Sequence, residues 1–225
     1  MIRTLVARPI SRAVIVAALA LSLSGLAIAL APGTHSHDTV SAASPANRAA
    51  FREAMRELWE DHIVWTRMVI VSAVDDLPDL PLAVDRLLRN QDDIGDAIRP
   101  IYGDAAGDEL SRLLREHIVG AADLLAAAKA GDTQAVQEAS AAWYGNGDEI
   151  AAFLNAANPR HWPLDEMQLM MRDHLDLTLA EAVARLEGRF ADDVAAYDEI
   201  HRQILHMADM LSDGIIAQFP AAFAR

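Results

Sequence analysis

The sequence contains no cysteine, and this absence limits the chemistry that the chain can perform. Disulfide bonds, thiolate metal sites and cysteine nucleophiles are all excluded. Lysine is nearly absent as well, because Lys129 is the only one, and the remaining positive charge is arginine. Aromatic residues make up 5% of the chain, whereas hydrophobic residues, with alanine prominent, make up 52%. This composition is typical of a helix bundle.

Basic residues are also too few to balance the acidic ones, and the formal net charge is −14. Nucleic acids and anionic membranes are recognised by clustered lysine and arginine, so we expect the domain to bind neither. Small cations are a more natural partner for such a surface. The sequence also has no glycine-rich phosphate loop and no Ser-His-Asp order that would indicate nucleotide or acyl-transfer chemistry.

The N-terminal part has the pattern of an export signal. Three arginines in the first twelve residues precede an apolar run at 13–31, and small polar residues follow it. This order predicts a signal peptide and linker at 1–42 and a helical domain at 43–225. The apolar run is also about long enough to remain as a membrane anchor if it is not cleaved. Either way, we expect the domain to lie outside the cytoplasm, secreted or membrane-anchored.

Proline and glycine residues divide the rest of the chain into helical segments. Between these breaks the apolar residues recur at helical spacing, as Leu110, Leu113, Leu114 and Ile118 do. The pattern predicts an all-α bundle of six helices, built as three antiparallel helical-hairpin repeats at about 47–100, 103–158 and 163–218. The six helices are expected roughly at 47–75, 81–99, 104–130, 133–157, 163–187 and 190–218.

Similar short motifs recur in the three predicted hairpins. The first helix of each has an acid, a histidine and an aliphatic residue: Asp61-His62-Ile63, Glu116-His117-Ile118 and Asp173-His174-Leu175. The second helix has two acids followed by isoleucine: Asp92-Asp93-Ile94, Asp148-Glu149-Ile150 and Asp198-Glu199-Ile200. Asn90 and Asn146 also match, two residues before the first acid.

Each histidine lies about as far before its hairpin turn as the matching aspartate lies after it. At the constant rise of an α-helix, the two residues are therefore at the same height and are expected to face each other. If the hairpins lie side by side in one direction, all six groups form one layer. The candidate metal-binding residues are His62, His117, His174, Asp92, Asp148 and Asp198, with His201 as an additional ligand.

Such a layer is the kind of site that helical bundles use to bind metals. Imidazole suits Zn, Cu, Ni and Fe, and the carboxylates are expected to bind the ion or to orient the histidines. The leading hypothesis is therefore an exported metal-binding protein for storage, buffering or sensing. Because the ligating imidazoles must be neutral, we expect the affinity to fall below about pH 6.5.

Methionines and further histidines accompany this layer on the last two helices. They are Met167, Met170, Met171, His201, His206, Met207 and Met210. Methionine and histidine together, without cysteine, suit copper. Methionine at helical spacing also fills apolar cores without any ligand role, so the pattern leaves both interpretations open.

Two other hypotheses fit the same residues. In the first, the His–Asp layer is purely structural, because a buried histidine needs a polar partner, and the protein binds a small molecule or another protein elsewhere. In the second, the protein is a metal-dependent enzyme, which needs an open coordination position and a channel for substrate. The sequence does not decide between an open and a sealed layer, or between a closed bundle and an open solenoid.

Three segments of the chain resemble a family of small, largely uncharacterised bacterial proteins. The segments are 58–67, 86–95 and 173–178, with the patterns Leu-Trp-Glu-Asp-His, Arg-Leu-Leu-Arg-Asn-Gln and Asp-His-Leu-Asp-Leu-Thr. The resemblance covers most of the predicted domain and implies an all-helical fold. It implies no particular activity, cofactor or site residue.

Overall fold

The computed structural model describes residues 48–223, and this part of the chain is all-helical. Its helices are α1 Arg48–Val74, α2 Leu80–Tyr102, α3 Asp104–Ala130, α4 Thr133–Ala157, α5 Leu164–Leu186 and α6 Phe190–Gln218, and a short 3-10 turn, Pro220–Phe223, follows them. The prediction of a six-helix bundle is confirmed. The predicted export signal at 1–42 lies outside the described residues.

The turn between α3 and α4 illustrates why the helices end where they do. Gly131 has a φ angle of 68°, a left-handed conformation that glycine adopts without the steric cost of a Cβ. The carboxylate of Asp132 then accepts a hydrogen bond from the backbone N–H of Ala135 at 3.0 Å. This bond caps the start of α4, as helix N-terminal carboxylates commonly do. Local sequence therefore determines the position of this turn.

The six helices form a closed ring. Each helix packs against the helices before and after it in the chain, and α6 packs against α1 to close the circle. The arrangement is therefore a closed bundle, and α1, α3 and α5 alternate with α2, α4 and α6 around it. Among the helices between residues 48 and 223, none has the length and apolar character to cross a membrane.

Buried aliphatic residues line the interior of this ring. The isoleucine that follows each acid pair is almost fully buried, with 0% of Ile94, 2% of Ile150 and 2% of Ile200 exposed. Helices α2 and α3 approach very closely at Gly95, where a Cβ would lie 2.6 Å from the backbone oxygen of Gly107. The bundle therefore holds its interior side chains at fixed heights, including the three repeated histidines.

Candidate functional site

Three histidines from alternate helices meet in the interior of the bundle. They are His62 on α1, His117 on α3 and His174 on α5, and they are 3%, 3% and 5% exposed. The ring centroids of His62 and His174 are 5.7 Å apart, and those of His117 and His174 are 6.5 Å apart. The sequence placed the three side chains at one height, and the structure brings them together.

Each imidazole is held through its Nδ1 atom by a side-chain amide on the following helix. The pairs are His62 with Gln91 at 3.2 Å, His117 with Asn146 at 2.9 Å and His174 with Gln203 at 3.1 Å. In every pair the amide residue comes 29 positions after the histidine. The same contact is therefore made three times around the ring.

The amide nitrogens fix the direction of these hydrogen bonds. The side-chain nitrogen of Asn146 donates to the backbone oxygen of Leu113 at 3.2 Å, and that of Gln203 donates to the backbone oxygen of Met170 at 3.2 Å. The amide oxygen is left to face the imidazole, and an oxygen of this kind can only accept a hydrogen bond. Nδ1 must therefore carry the proton, which leaves Nε2 unprotonated.

Between α1 and α2, two amide residues together fix the direction of the hydrogen bond to the imidazole. The side-chain nitrogen of Gln91 donates to the backbone oxygen of Leu87 at 2.7 Å and to Oδ1 of Asn90 at 3.1 Å. Asn90 in turn donates to the backbone oxygen of Leu58 at 3.0 Å. Asn90 is thus hydrogen-bonded to the α1 backbone one turn before His62, while Gln91 is hydrogen-bonded to the imidazole itself. Both amides are fully buried, with 0% exposed.

The three histidines line a small apolar cavity with a volume of about 40 Å³. Within residues 48–223, the hydrogen bonds of the three imidazole rings all involve Nδ1. Apart from the histidines, the residues lining the cavity within this range are uncharged and mostly apolar. Trp59 lies edge-on to His62 at 5.7 Å, and the ring of Trp143, from the edge of the cluster, stacks on His117 at 5.3 Å. No hydrogen bond from a described residue thus reaches the three Nε2 lone pairs in this apolar interior.

Burial keeps all three imidazoles neutral at neutral pH. Removal from water lowers the pKa of His174 to about 4. Burial, and next the nearby His174, lowers the pKa of His117 to about 4. Burial also lowers the pKa of His62 well below its ordinary value, and the charges that His174 and His117 would carry lower it further. A protonated imidazole here would have no counter-charge among the described residues that line the cavity.

The aspartates predicted to face these histidines lie elsewhere, so the expected His–Asp pairing is wrong. Asp92 forms an ion pair with Arg115 at 2.9 Å, and Asp148 forms one with Arg172 at 3.0 Å, both part-exposed. Asp198 is exposed. Each residue turns an α-helix by 100°, so acids one, two or five positions away from the amide point in other directions. The sequence therefore predicted the height of the polar layer along the helices, but it did not predict which side chains of α2, α4 and α6 point into the bundle.

His201 is also outside the cluster. Its Nε2 atom lies 2.9 Å from a carboxylate oxygen of Glu60, and its side chain is 39% exposed. This contact joins the outer surfaces of α6 and α1. Of the seven residues proposed from sequence, the structure therefore gathers His62, His117 and His174 and disperses the other four.

The amides that bind the imidazoles were not among the site residues predicted from the sequence. In the sequence, Asn146 stands out only as a match to Asn90, and Gln91 only as part of the segment 86–95, whereas Gln203 belongs to none of the motifs. The signal that could have found them is the constant separation of 29 residues between histidine and amide. It was hidden because the amide is Asn in one hairpin and Gln in the other two, at a different offset from the acid pair each time.

Chemically, the cluster offers three neutral, oriented nitrogen lone pairs and no acid. Within residues 48–223 no group of three or more His, Asp or Glu side chains stands close enough together to hold a metal ion as the chain stands. A site at the histidine cluster would therefore need a small inward movement of the rings. The chain matches no protein-family model, no curated protein and no solved structure.

Proposed function

We propose that this protein binds one transition-metal ion in the core of its bundle, through the Nε2 atoms of His62, His117 and His174. The observation that carries the proposal is the orientation of these imidazoles. Each Nδ1–H group donates a hydrogen bond to an amide oxygen, so that the three Nε2 lone pairs remain around one cavity. Metal-ligating histidines almost always donate their other ring N–H to an oxygen acceptor in this way.

The cost of leaving these lone pairs unused supports the same proposal. A buried acceptor without a partner costs about 1–3 kcal/mol, and most buried polar groups in proteins are paired. Three acceptors of this kind border one cavity. One water can donate to only two of these acceptors, whereas one metal ion binds all three, and three neutral imidazoles are a ligand set used for Zn, Cu, Ni and Fe.

Two of the three ring pairs, His62 with His174 and His117 with His174, lie slightly farther apart than histidines bound to one ion. With a metal–nitrogen bond of about 2 Å and near-tetrahedral angles, the ring centroids of bound histidines would be about 5 Å apart. The observed separations are 5.7 Å and 6.5 Å. Metal binding would therefore bring these two pairs of rings closer together by about 0.7 Å and about 1.5 Å.

The size and burial of the cavity favour holding an ion over acting on an organic substrate. A water needs about 10–15 Å³ of such space, so a volume of about 40 Å³ suits an ion with a small ligand rather than an organic molecule. The three histidines are at most 5% exposed, which favours a held ion over a reaction centre that an organic substrate must reach. We therefore propose storage, buffering or sensing, outside the cytoplasm if the predicted export signal operates.

An internal threefold repeat is part of this proposal. The three histidine–amide pairs share one sequence separation and one hydrogen-bonding pattern. Duplication of a single hairpin would produce this arrangement, since a closed ring of three hairpins brings equivalent residues together at its axis. Thr66 and Thr178 support this view, because each donates to the backbone oxygen of its own histidine, His62 and His174.

The proposal is tested by measuring the metal retained by the purified protein after exposure to Zn, Cu, Ni, Fe and Mn followed by desalting. We expect about one ion per chain, lost when His62, His117 and His174 are all replaced by leucine. The matched control is the double variant His201→Leu/His206→Leu, which removes two surface histidines and should retain the ion. Absence of a retained ion in the unaltered protein would overturn the proposal and leave the layer structural.

A further inference from the structure

Three methionines line the same cavity as the three histidines. Met55, Met171 and Met207 come from α1, α5 and α6, and they are 2%, 5% and 2% exposed. Met171 precedes His174 by one helical turn and therefore lies on the same face of α5. A thioether sulfur is a soft, uncharged ligand, so its presence beside imidazole nitrogens changes which ions the cavity prefers.

The described residues that line the cavity carry no negative charge. Among residues 48–223, those that line it include no Asp or Glu, and the acids predicted from sequence, Asp92 and Asp148, are occupied by arginines at the surface. An ion bound there keeps its full charge inside an apolar interior. The cost of burying an ion rises with the square of its charge, so a divalent ion costs about four times as much as a monovalent one.

The type of the ligands and the lack of charge in the cavity lining therefore both favour Cu⁺. Zn²⁺ would need an accompanying anion, such as hydroxide, to reduce its buried charge. Cu⁺ has a single charge and prefers soft ligands such as thioethers, and imidazole also binds copper well. The histidines provide the nitrogen ligands and the methionines provide the sulfur, all uncharged.

We propose that the ion held in this cavity is monovalent copper, bound by His62, His117 and His174 with thioether contacts from Met171 and Met207. This inference rests on the proposed metal-binding function and specifies its cargo. It involves binding alone, with no change of oxidation state. The protein would then hold Cu⁺ in a water-poor interior, separated from solvent by a ring of six helices.

The test is an anaerobic competition between the purified protein and a coloured Cu⁺ chelator, beside an equivalent competition for Zn²⁺. We expect the protein to hold one Cu⁺ per chain and to bind it more tightly than Zn²⁺. The variants Met171→Leu and Met207→Leu are each expected to weaken Cu⁺ binding by about tenfold or more, as changes around a metal commonly do, and to leave Zn²⁺ binding unchanged.

The matched control is Met167→Leu, the same substitution on the same helix as Met171. Met167 is 0% exposed but does not line the cavity, so its replacement should leave Cu⁺ affinity unchanged. Equal losses in Met167→Leu and Met171→Leu, or Zn²⁺ binding that is as tight as Cu⁺ binding, would overturn the copper assignment while the metal site stands. Failure to bind any ion would overturn the proposed function itself, and the copper assignment with it.

Discussion

The side-chain amide of Asn146 bridges His117 and the backbone of α3. Its oxygen lies 2.9 Å from Nδ1 of His117, and its nitrogen lies 3.2 Å from the backbone oxygen of Leu113. Leu113 precedes His117 by four residues, so the amide is hydrogen-bonded to the same helical turn that carries the imidazole. The orientation of the imidazole and the position of its proton are thereby fixed together.

Replacing this amide should release the imidazole. We expect Asn146→Leu to lower the free energy of unfolding by about 1–3 kcal/mol, since Nδ1 loses its acceptor. Metal affinity should fall about 10–100-fold, because the Nε2 atom of His117 is no longer aimed into the cavity. Chemical denaturation and calorimetric metal titration measure the two effects.

The matched control for this experiment is Asn155→Leu on the same helix. Asn155 also donates to a backbone oxygen, that of Trp162, at 2.8 Å, but it does not line the histidine cavity. Its replacement should lower stability and leave metal affinity unchanged. If both variants lose affinity equally, the role assigned to Asn146 in orienting the imidazole is wrong.

The surface aspartates should have no part in metal binding. Asp92→Asn and Asp148→Asn each remove a part-exposed ion pair with arginine, which is expected to cost at most about 1 kcal/mol. Metal affinity and stoichiometry should match those of the unaltered protein in calorimetric titration. A tenfold loss of affinity in either variant would instead support the carboxylate ligands first expected from the sequence.

The free energy of unfolding of the metal-free protein should decrease as the pH falls from about 6.5 towards 4. Burial lowers the pKa of His117 to about 4, whereas an unfolded histidine titrates near pH 6.5. Between these values the unfolded chain binds the extra proton, so each such histidine costs up to about 1.4 kcal/mol per pH unit. Urea denaturation at several pH values measures the slope.

The variant His117→Leu isolates this contribution. Burial also raises the pKa of Glu181 to about 7, which gives the opposite slope as the pH falls from 7, but it acts equally in both proteins. The unaltered protein should therefore lose about 1.4 kcal/mol per pH unit more than the variant over this range. Parallel curves for the two proteins would contradict a buried, neutral His117.

Metal affinity should be nearly independent of pH until the medium is quite acidic. Protons compete with a metal for imidazole only near the pKa of the folded protein, which burial lowers to about 4 for His117 and His174. The sequence alone predicted a loss of affinity below about pH 6.5. We now expect similar Cu⁺ dissociation constants at about pH 7.5 and 5.5, and a steep loss beginning at 6.5 would contradict these pKa values.

A buried ion-pair cluster away from the cavity should contribute to the stability of the fold and have no part in metal binding. Arg67 bonds to Glu181 at 2.5 Å and to Asp193 at 2.6 Å, and each acid is only 1% exposed. Arg67→Met leaves these acids with less compensation and should cost about 3–5 kcal/mol. The exposed pair partner Arg172 provides the control, since Arg172→Met should cost at most about 1 kcal/mol. Equal losses in thermal or chemical denaturation would contradict this ranking.

The fold was predictable because its signals are local. Glycine and proline mark the turns, as at Gly131, and apolar residues mark the inward face of each helix. The closure of the ring was not predictable, because it depends on contacts between α6 and α1, which lie at opposite ends of the described chain. No local pattern distinguishes a closed ring of hairpins from an open stack.

The site was predictable in one respect and not in another. Equal distances from the turns placed His62, His117 and His174 at one height, and they do meet. The partners were wrong because the direction of a side chain changes by 100° with each residue, so Gln91 faces the interior and its neighbour Asp92 does not. Choosing between these two requires the rotation of the helix, which the tertiary packing determines.

Metal binding by the three imidazoles is tested most directly by their protonation pattern, observed by long-range ¹H–¹⁵N NMR before and after one equivalent of metal. We expect that at about pH 6 all three carry their proton on Nδ1, with Nε2 unprotonated. On metal addition, we expect all three Nε2 signals to shift together while Nδ1 keeps its proton. Protons on Nε2, or Nε2 signals that do not respond to any metal, would contradict metal binding by the three imidazoles.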